Sequence, residues 1–259
     1  MVKKQMLKGS IRKKTHKSRQ LLDRLHGSVL DAKTLHDLRL QNKKLKAVLQ
    51  LLKQVSGNPH FTAKTLKPLF RLAGQIRTAQ LILQQLEHYH LEQEDWVQEQ
   101  HASIQQASEK LVRQRKHFKK AIAKLEQRLL PACHSVADKK VERYYGQNIS
   151  RLSMAFALPL DGDQLHENRK DIKSLLYALP VLPHALQSRL QINKSYLDEL
   201  QELIGQWHDH MVLLELLLQK KAKEECLKQL YKDGEELLRQ IEFRTRFLDQ
   251  KVKLARPAD

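Results

Sequence analysis

Apolar positions recur at three- and four-residue spacing along almost the whole chain, the period of helices that bury one face. The pattern predicts helices over about residues 28–55, 62–88, 92–129, 136–157, 163–180, 184–219 and 221–255. Turn-forming residues interrupt it at Gly57-Asn58-Pro59, Leu130-Pro131, Pro159 to Gly162, Pro180 to Pro183 and Asp233-Gly234. The expected fold class is all-α.

The polar positions carry a second pattern. In LHDLRLQNKKLKAVLQLL, residues 35–52, a turn of 100° per residue places His36, Arg39, Lys43 and Lys46 within about 80° of one another, opposite Leu38, Leu45, Leu49 and Leu52. Residues 165–182, LHENRKDIKSLLYALPVL, repeat the spacing as His166, Arg169 and Lys173, opposite Leu175 and Leu179. Farther along, LAGQIRTAQLILQQL (72–86) matches LIGQWHDHMVLLELL (203–217) at Leu72/Leu203, Gly74/Gly205 and Gln75/Gln206. His36 precedes Gly74 by 38 residues and His166 precedes Gly205 by 39. Two matches in one order and at one separation indicate an internal duplication, and two similar halves are expected to pack with approximate two-fold symmetry. The helix predicted over 92–129 adds a third file, Lys110, Arg113, His117, Lys120 and Lys124, away from Ile104, Leu111, Phe118, Ile122 and Leu129. Arg239, Arg246 and Lys253 form a weaker one.

Composition narrows the partners. The 259 residues hold 47 Lys+Arg against 29 Asp+Glu, a formal charge of +18, which favours polyanions: nucleic acid, an anionic membrane surface or a polymer of phosphates. Eight glycines, seven prolines and 5% aromatics suit helices and leave little for strands or Gly-rich nucleotide loops. Cys133 and Cys226 lie far apart without metal-ligand spacing, which points to a reducing, cytoplasmic setting. No apolar run has the length of a membrane span. The first twenty residues hold eight Lys/Arg and no acid and read as a mobile basic arm, with Lys3 to Arg19 available to a granule surface or a partner.

Cations three and four positions apart recur roughly every 5 Å along a helix, a spacing that suits the charges of an extended phosphate polymer. Arginine can grip two oxygens at once, and histidine adds a donor whose charge grows below about pH 6.5. One basic stripe is commonly a solvated face. Recurrence in both halves, with a histidine at the same offset and few intervening acids, favours an anion that relieves the repulsion of like charges at i,i+3 and i,i+4.

Enzymatic readings fare worse. In WHDH (207–210), His208 and His210 point to different sides of a helix and cannot share a metal as an i,i+4 pair would. His88 and His90 have the same defect. LEQED (91–95) lacks a strand context, and neither a P-loop nor a Gly-x-Gly-x-x-Gly occurs.

At HDLRLQNKKLK (36–46), HENRKDIKSLLY (166–177) and the two Gly-centred segments, the sequence resembles the CHAD family, named for a histidine-bearing α-helical domain. The resemblance runs from about residue 20 onward. It implies two similar four-helix bundles related by a pseudo-two-fold axis, with a basic central groove or pore. Residues 1–20 would then be a basic N-terminal arm and 21–259 a single CHAD domain, with halves 21–130 and 131–259. It further implies non-catalytic binding of long-chain inorganic polyphosphate, association with polyphosphate granules, and a link to triphosphate-tunnel-type enzymes. No cofactor or metal is implied. Carried over by position, the binding residues are His36, Arg39, Lys43 and Lys46, then His166, Arg169, Lys173 and Tyr177. Arg77 and His208 occupy the place of the arginine in the family's Gly-x-x-Arg-Asp. Outside the family's motifs, the third file of Arg113, His117, Lys120 and Lys124 is expected to extend the site. The chain departs from the pattern at Leu176, where a further arginine is expected, at Thr78 in place of the acid, and at His208 followed by Asp209. Nucleic-acid binding is the alternative reading. Against it, the stripes carry no aromatic for base stacking except Tyr177.

Overall fold

The computed structural model describes residues 1–26, 30–91 and 94–253. Among these there are α-helices and short 3-10 turns, with two isolated β-bridges in place of strands. The chain divides into two compact units, 1–137 and 138–259. Unit 1 contains α1 (Lys4–Arg24), α2 (Ala32–Ser56), a 3-10 turn (Lys64–Leu66), α3 (Lys67–His88), α4 (Glu94–Arg113) and α5 (Arg115–Ala132). Unit 2 contains α6 (Asp138–Phe156), α7 (Gly162–Ala178), a 3-10 turn (Leu179–Val181), α8 (His184–Leu190), α9 (Lys194–Gln219), α10 (Glu224–Thr245) and α11 (Leu248–Lys251).

Within unit 1, α1 packs on α2, α2 on α3, α3 on α4, and α5 returns to α1. In unit 2, α6 packs on α7, α7 on α9, α9 on α10, and α10 returns to α6. Each unit is thus a closed ring of four helical positions, the fourth of unit 1 being shared by α4 and α5. Unit 1 is also tied where its chain enters and leaves, and unit 2 between the start of α9 and the end of α11. Val2 N–H donates to Val136 O at 2.8 Å and Val136 N–H to Val2 O at 3.0 Å, while in unit 2 Asn193 N–H donates to Val252 O at 2.9 Å.

Local chemistry sets the helix limits. Asp31 caps α2 by accepting from Thr34 N–H at 2.7 Å, and Gly57 closes that helix at φ 70°, a conformation glycine adopts without penalty. Asn193 caps α9 through Tyr196 N–H at 3.1 Å. Apolar backs supply the core: Leu38, Leu45, Leu49 and Leu52 of α2, with Leu175 of α7 and Leu179 in the turn after it, are each at most 2% exposed. The expected starts at 28 and 92 and the end at 255 lie outside the described residues, as does Glu92 of LEQED.

Five expectations are corrected. The N-terminal segment is not a mobile arm: α1 buries Leu7, Ile11, Thr15, Ser18, Leu21 and Leu22 against its neighbours. Two of these are polar and satisfied inside the unit. Thr15 Oγ1 donates to Glu126 Oε2 at 2.6 Å, and Ser18 Oγ donates to Asn42 Oδ1 at 3.2 Å. The helix expected over 92–129 is interrupted at Gln114, with φ −87° and ψ 0°. The one expected over 184–219 is broken at Gln191, whose φ is 49°. At Asp233-Gly234 there is no break, and α10 runs straight through, whereas the helix expected to continue to 255 stops at Thr245, with Phe247 at φ 58° before α11.

Ile11→Ala is expected to lower stability by about 2–5 kcal/mol, the usual cost of emptying a buried aliphatic site. Arg12→Ala, on the exposed side of α1, is expected to stay within about 0.5 kcal/mol of wild type. Urea midpoints compare the two, and equal, negligible effects would return this segment to the status of an arm.

Candidate anion-binding helix faces

The stripes begin from helices whose backs are buried, so their fronts are held in place. On α2, His36 and Lys46 are exposed, while Arg39 and Lys43 are half-buried. On α7, His166, Arg169, Lys173 and Tyr177 are all half-buried.

The Gly-centred segments explain why the arginines sit as they do. A Cβ placed on Gly205 of α9 would stand 2.6 Å from Arg169 Cζ and 3.0 Å from its Nε, and would collide with Nη2. The guanidinium therefore lies directly on the α9 backbone, where Arg169 Nε–H donates to Gln201 O at 3.0 Å. In unit 1, a Cβ on Gly74 of α3 would stand 3.2 Å from Arg39 Nη1. Each half thus seats the arginine of its His-x-x-Arg motif on a glycine of the helix next in the ring. Sequence reading found both elements and their separation but not this contact. The available signal was a glycine kept in mid-helix, where alanine is favoured by about 1 kcal/mol.

Position 208 carries a second contact. The His208 ring stacks on His166 with centroids 4.4 Å apart and planes at 24°, and its Nδ1 lies 3.3 Å from Asp209 Oδ1. Burial, then the neighbouring His208 and Lys170, hold the His166 pKa below its usual value. Lys173 is pulled down to about 8, first by burial and then by the Arg169 charge, against the opposing pull of Glu202, Asp209 and Asp198. Burial and the Asp198 carboxylate push the Tyr177 phenol up. The α1 helix adds a cation the arm reading did not assign. Lys14 falls to about 8 through burial and the charges of Lys44 and Lys13, while its Nζ donates to Ser10 Oγ at 2.7 Å.

The remaining candidates are less gathered. Arg77 is half-buried on α3. Arg113 ends α4, whereas His117, Lys120 and Lys124 line the exposed side of α5. The break at Gln114 therefore divides the third file between two helices. WHDH separates as its spacing requires: His208 joins the stack, and His210 is buried at 4% exposure, its Nε2–H donating to Leu230 O at 2.7 Å. Among the described residues no group of three or more His, Cys, Asp or Glu is placed to hold a metal ion.

The family model of the CHAD domain matches residues 15–218. The chain belongs to the CHAD family. It is similar to the crystal structure of the CHAD domain from the plant Ricinus communis, with a TM-score of 0.63 and 19% identity over 96% of this chain and 89% of that one. At that identity the likeness speaks for the fold. No curated protein matches the chain. Among the described residues no helix is long and apolar enough to cross a membrane.

Gly205→Ala is expected to destabilise by about 1–3 kcal/mol, because overpacking against Arg169 outweighs alanine's helix propensity. In an Arg169→Ala background the same change is expected to be neutral or stabilising. A double-mutant cycle from urea melts measures the coupling, and additive effects would remove the arginine seat as an energetic contact.

Proposed function

We propose that this CHAD-family protein binds long-chain inorganic polyphosphate without catalysing a reaction, through the basic faces of α2, α5 and α7 together with Arg77 and His208. The observation that carries the reading is the recurrence of one arrangement in both units: a His-x-x-Arg-x-x-x-Lys file whose arginine is seated on a glycine of the adjoining helix. A side chain held by backbone loses little further freedom when it meets an anion. Cations in file can neutralise successive phosphates and release their counterions. A bare phosphate chain asks only for charge and donors in file. Single-stranded nucleic acid binding would gain from aromatic platforms, and Tyr177 is the one aromatic in the stripes. The bound polymer would be the link to polyphosphate granules or to a triphosphate-tunnel-type partner enzyme.

Isothermal titration with long-chain polyphosphate, tripolyphosphate and mixed-sequence RNA tests this directly. The long polymer is expected to bind at physiological salt in the presence of excess RNA, with tripolyphosphate weaker by more than ten-fold. Lys46→Glu combined with Lys120→Glu, both exposed, is expected to weaken binding far more than Lys3→Glu combined with Lys4→Glu. Equal losses, or preference for RNA, would overturn the reading.

Lys173 provides a pH signature. Its folded value of about 8 lies below the ordinary 10.5, so between these values the native state holds fewer protons than the unfolded chain. The corresponding stability is present above pH 10.5 and is lost as pH falls through about 8. A bound anion favours the charged form, so polymer binding near pH 8.5 is expected to take up protons. Titrations in buffers of different ionisation enthalpy read that uptake, which Lys173→Met is expected to reduce.

A further inference from the structure

The two halves differ at several positions of the repeated arrangement, and at one of them a fixed charge is exchanged for a titratable one. Three residues after the seat glycine, α3 carries Arg77 and α9 carries His208. A guanidinium keeps its charge throughout the physiological range; an imidazole does not. In unit 2 the imidazole is set face to face with a second one, at 4.4 Å between centroids.

The surroundings of that stack are mixed in charge. On α7, Arg169 and Lys170 adjoin His166, with Glu167 as the opposing carboxylate. On α9, Asp209 Oδ1 stands beside His208 Nδ1. On the α6 side, Arg151 is paired with Asp171 of α7 at 2.7 Å. His166 Nδ1 is buried and has no hydrogen-bond partner. The ring is therefore best accommodated neutral with its proton on Nε2, since a proton on Nδ1 would find no acceptor. Two charged rings stacked at this distance would also repel each other; of the two neighbouring carboxylates Glu167 is already paired with Lys170 at 2.6 Å, and Asp209 alone does not neutralise both rings.

We infer that the His166–His208 stack is a proton-coupled phosphate subsite. An anionic phosphate oxygen at its solvent-facing edge supplies the missing counter-charge and recruits a proton from solvent onto the pair. Unit 2 then grips the polymer more tightly as pH falls, whereas Arg77 gives the corresponding position of unit 1 a fixed charge. The lowered pKa of His166 in the free protein agrees with this. The inference rests on the polyphosphate reading and adds its regulation.

The test is the dissociation constant for long-chain polyphosphate from pH 8.0 to 5.5 at constant ionic strength, for wild type, His208→Arg and His208→Gln. If binding raises the apparent pKa of the pair by one unit, affinity rises about ten-fold as pH falls through the window. Both variants are expected to lose most of that slope, and His208→Arg is expected to bind more tightly than wild type at pH 8. Imidazole NMR of the intact chain is expected to show His166 titrating below the usual histidine range and moving upward when polymer is added. An unchanged pH slope in both variants, or a His166 titration indifferent to polymer, would overturn the inference and leave polyphosphate binding standing. Absence of binding at every pH would remove the polyphosphate reading itself, and this one with it.

Discussion

A glycine in the middle of a long helix weakens that helix by about 1 kcal/mol relative to alanine, yet α3 and α9 each hold one where the adjoining helix delivers an arginine. The missing Cβ lets a guanidinium lie on the α9 backbone at Gly205, with Nε–H of Arg169 bonded to the carbonyl of Gln201. That contact joins two needs that otherwise conflict. The helices must approach closely to bury α7's Leu175 and α9's Leu200 and Ile204, and a charged side chain must occupy the margin of the same interface. An uncompensated charge there would oppose packing; one that bonds to backbone does not.

The seat also orders what lies beside it. With Arg169 fixed, Lys173 sits one turn farther along, close enough to feel the arginine's charge and partly withdrawn from water. His166 sits one turn back, held against His208. Their desolvation is sustained by the apolar back of α7, where Leu165, Ile172 and Leu175 are at most 1% exposed. The cationic face and the core are thus one design constraint on a single helix. Replacing the core side chains would move the cations, and crowding the seat would move both.

How much of this was legible in the sequence depends on whether burial and polarity coincide. On α2 and α7 they do: leucines are inside, cations are on the margin, and the three-and-four spacing revealed both faces and their duplication. On α1 they do not. Its buried stripe passes through Thr15 and Ser18, whose hydroxyls are satisfied by Glu126 and Asn42 from distant parts of the sequence, so the apolar period is interrupted in a stretch already rich in lysine. The break at Gln114 was equally hidden, because the cations on both sides keep their phase across it and no glycine or proline marks the site. The seats were half legible: the glycines stood out as a repeated match, but their reason lies in the side chain of another helix.

Substitutions between the two matching segments also explain why the two faces are not equivalent. Unit 2 surrounds its file with Asp198, Glu202 and Asp209, whose pull on Lys173 partly offsets burial and the Arg169 charge, and it has a titratable stack where unit 1 carries Arg77. Unit 1 has no such substitution at that position and sets the charges of Lys44 and Lys13 close enough to add to burial in lowering the Lys14 pKa. Two rings that each hold an arginine on a glycine can differ in this way because the seat, not the flanking charges, maintains the geometry. Changes at the flanking positions then alter when and how firmly an anion is held, while the helices that present them stay where the core and the seat put them.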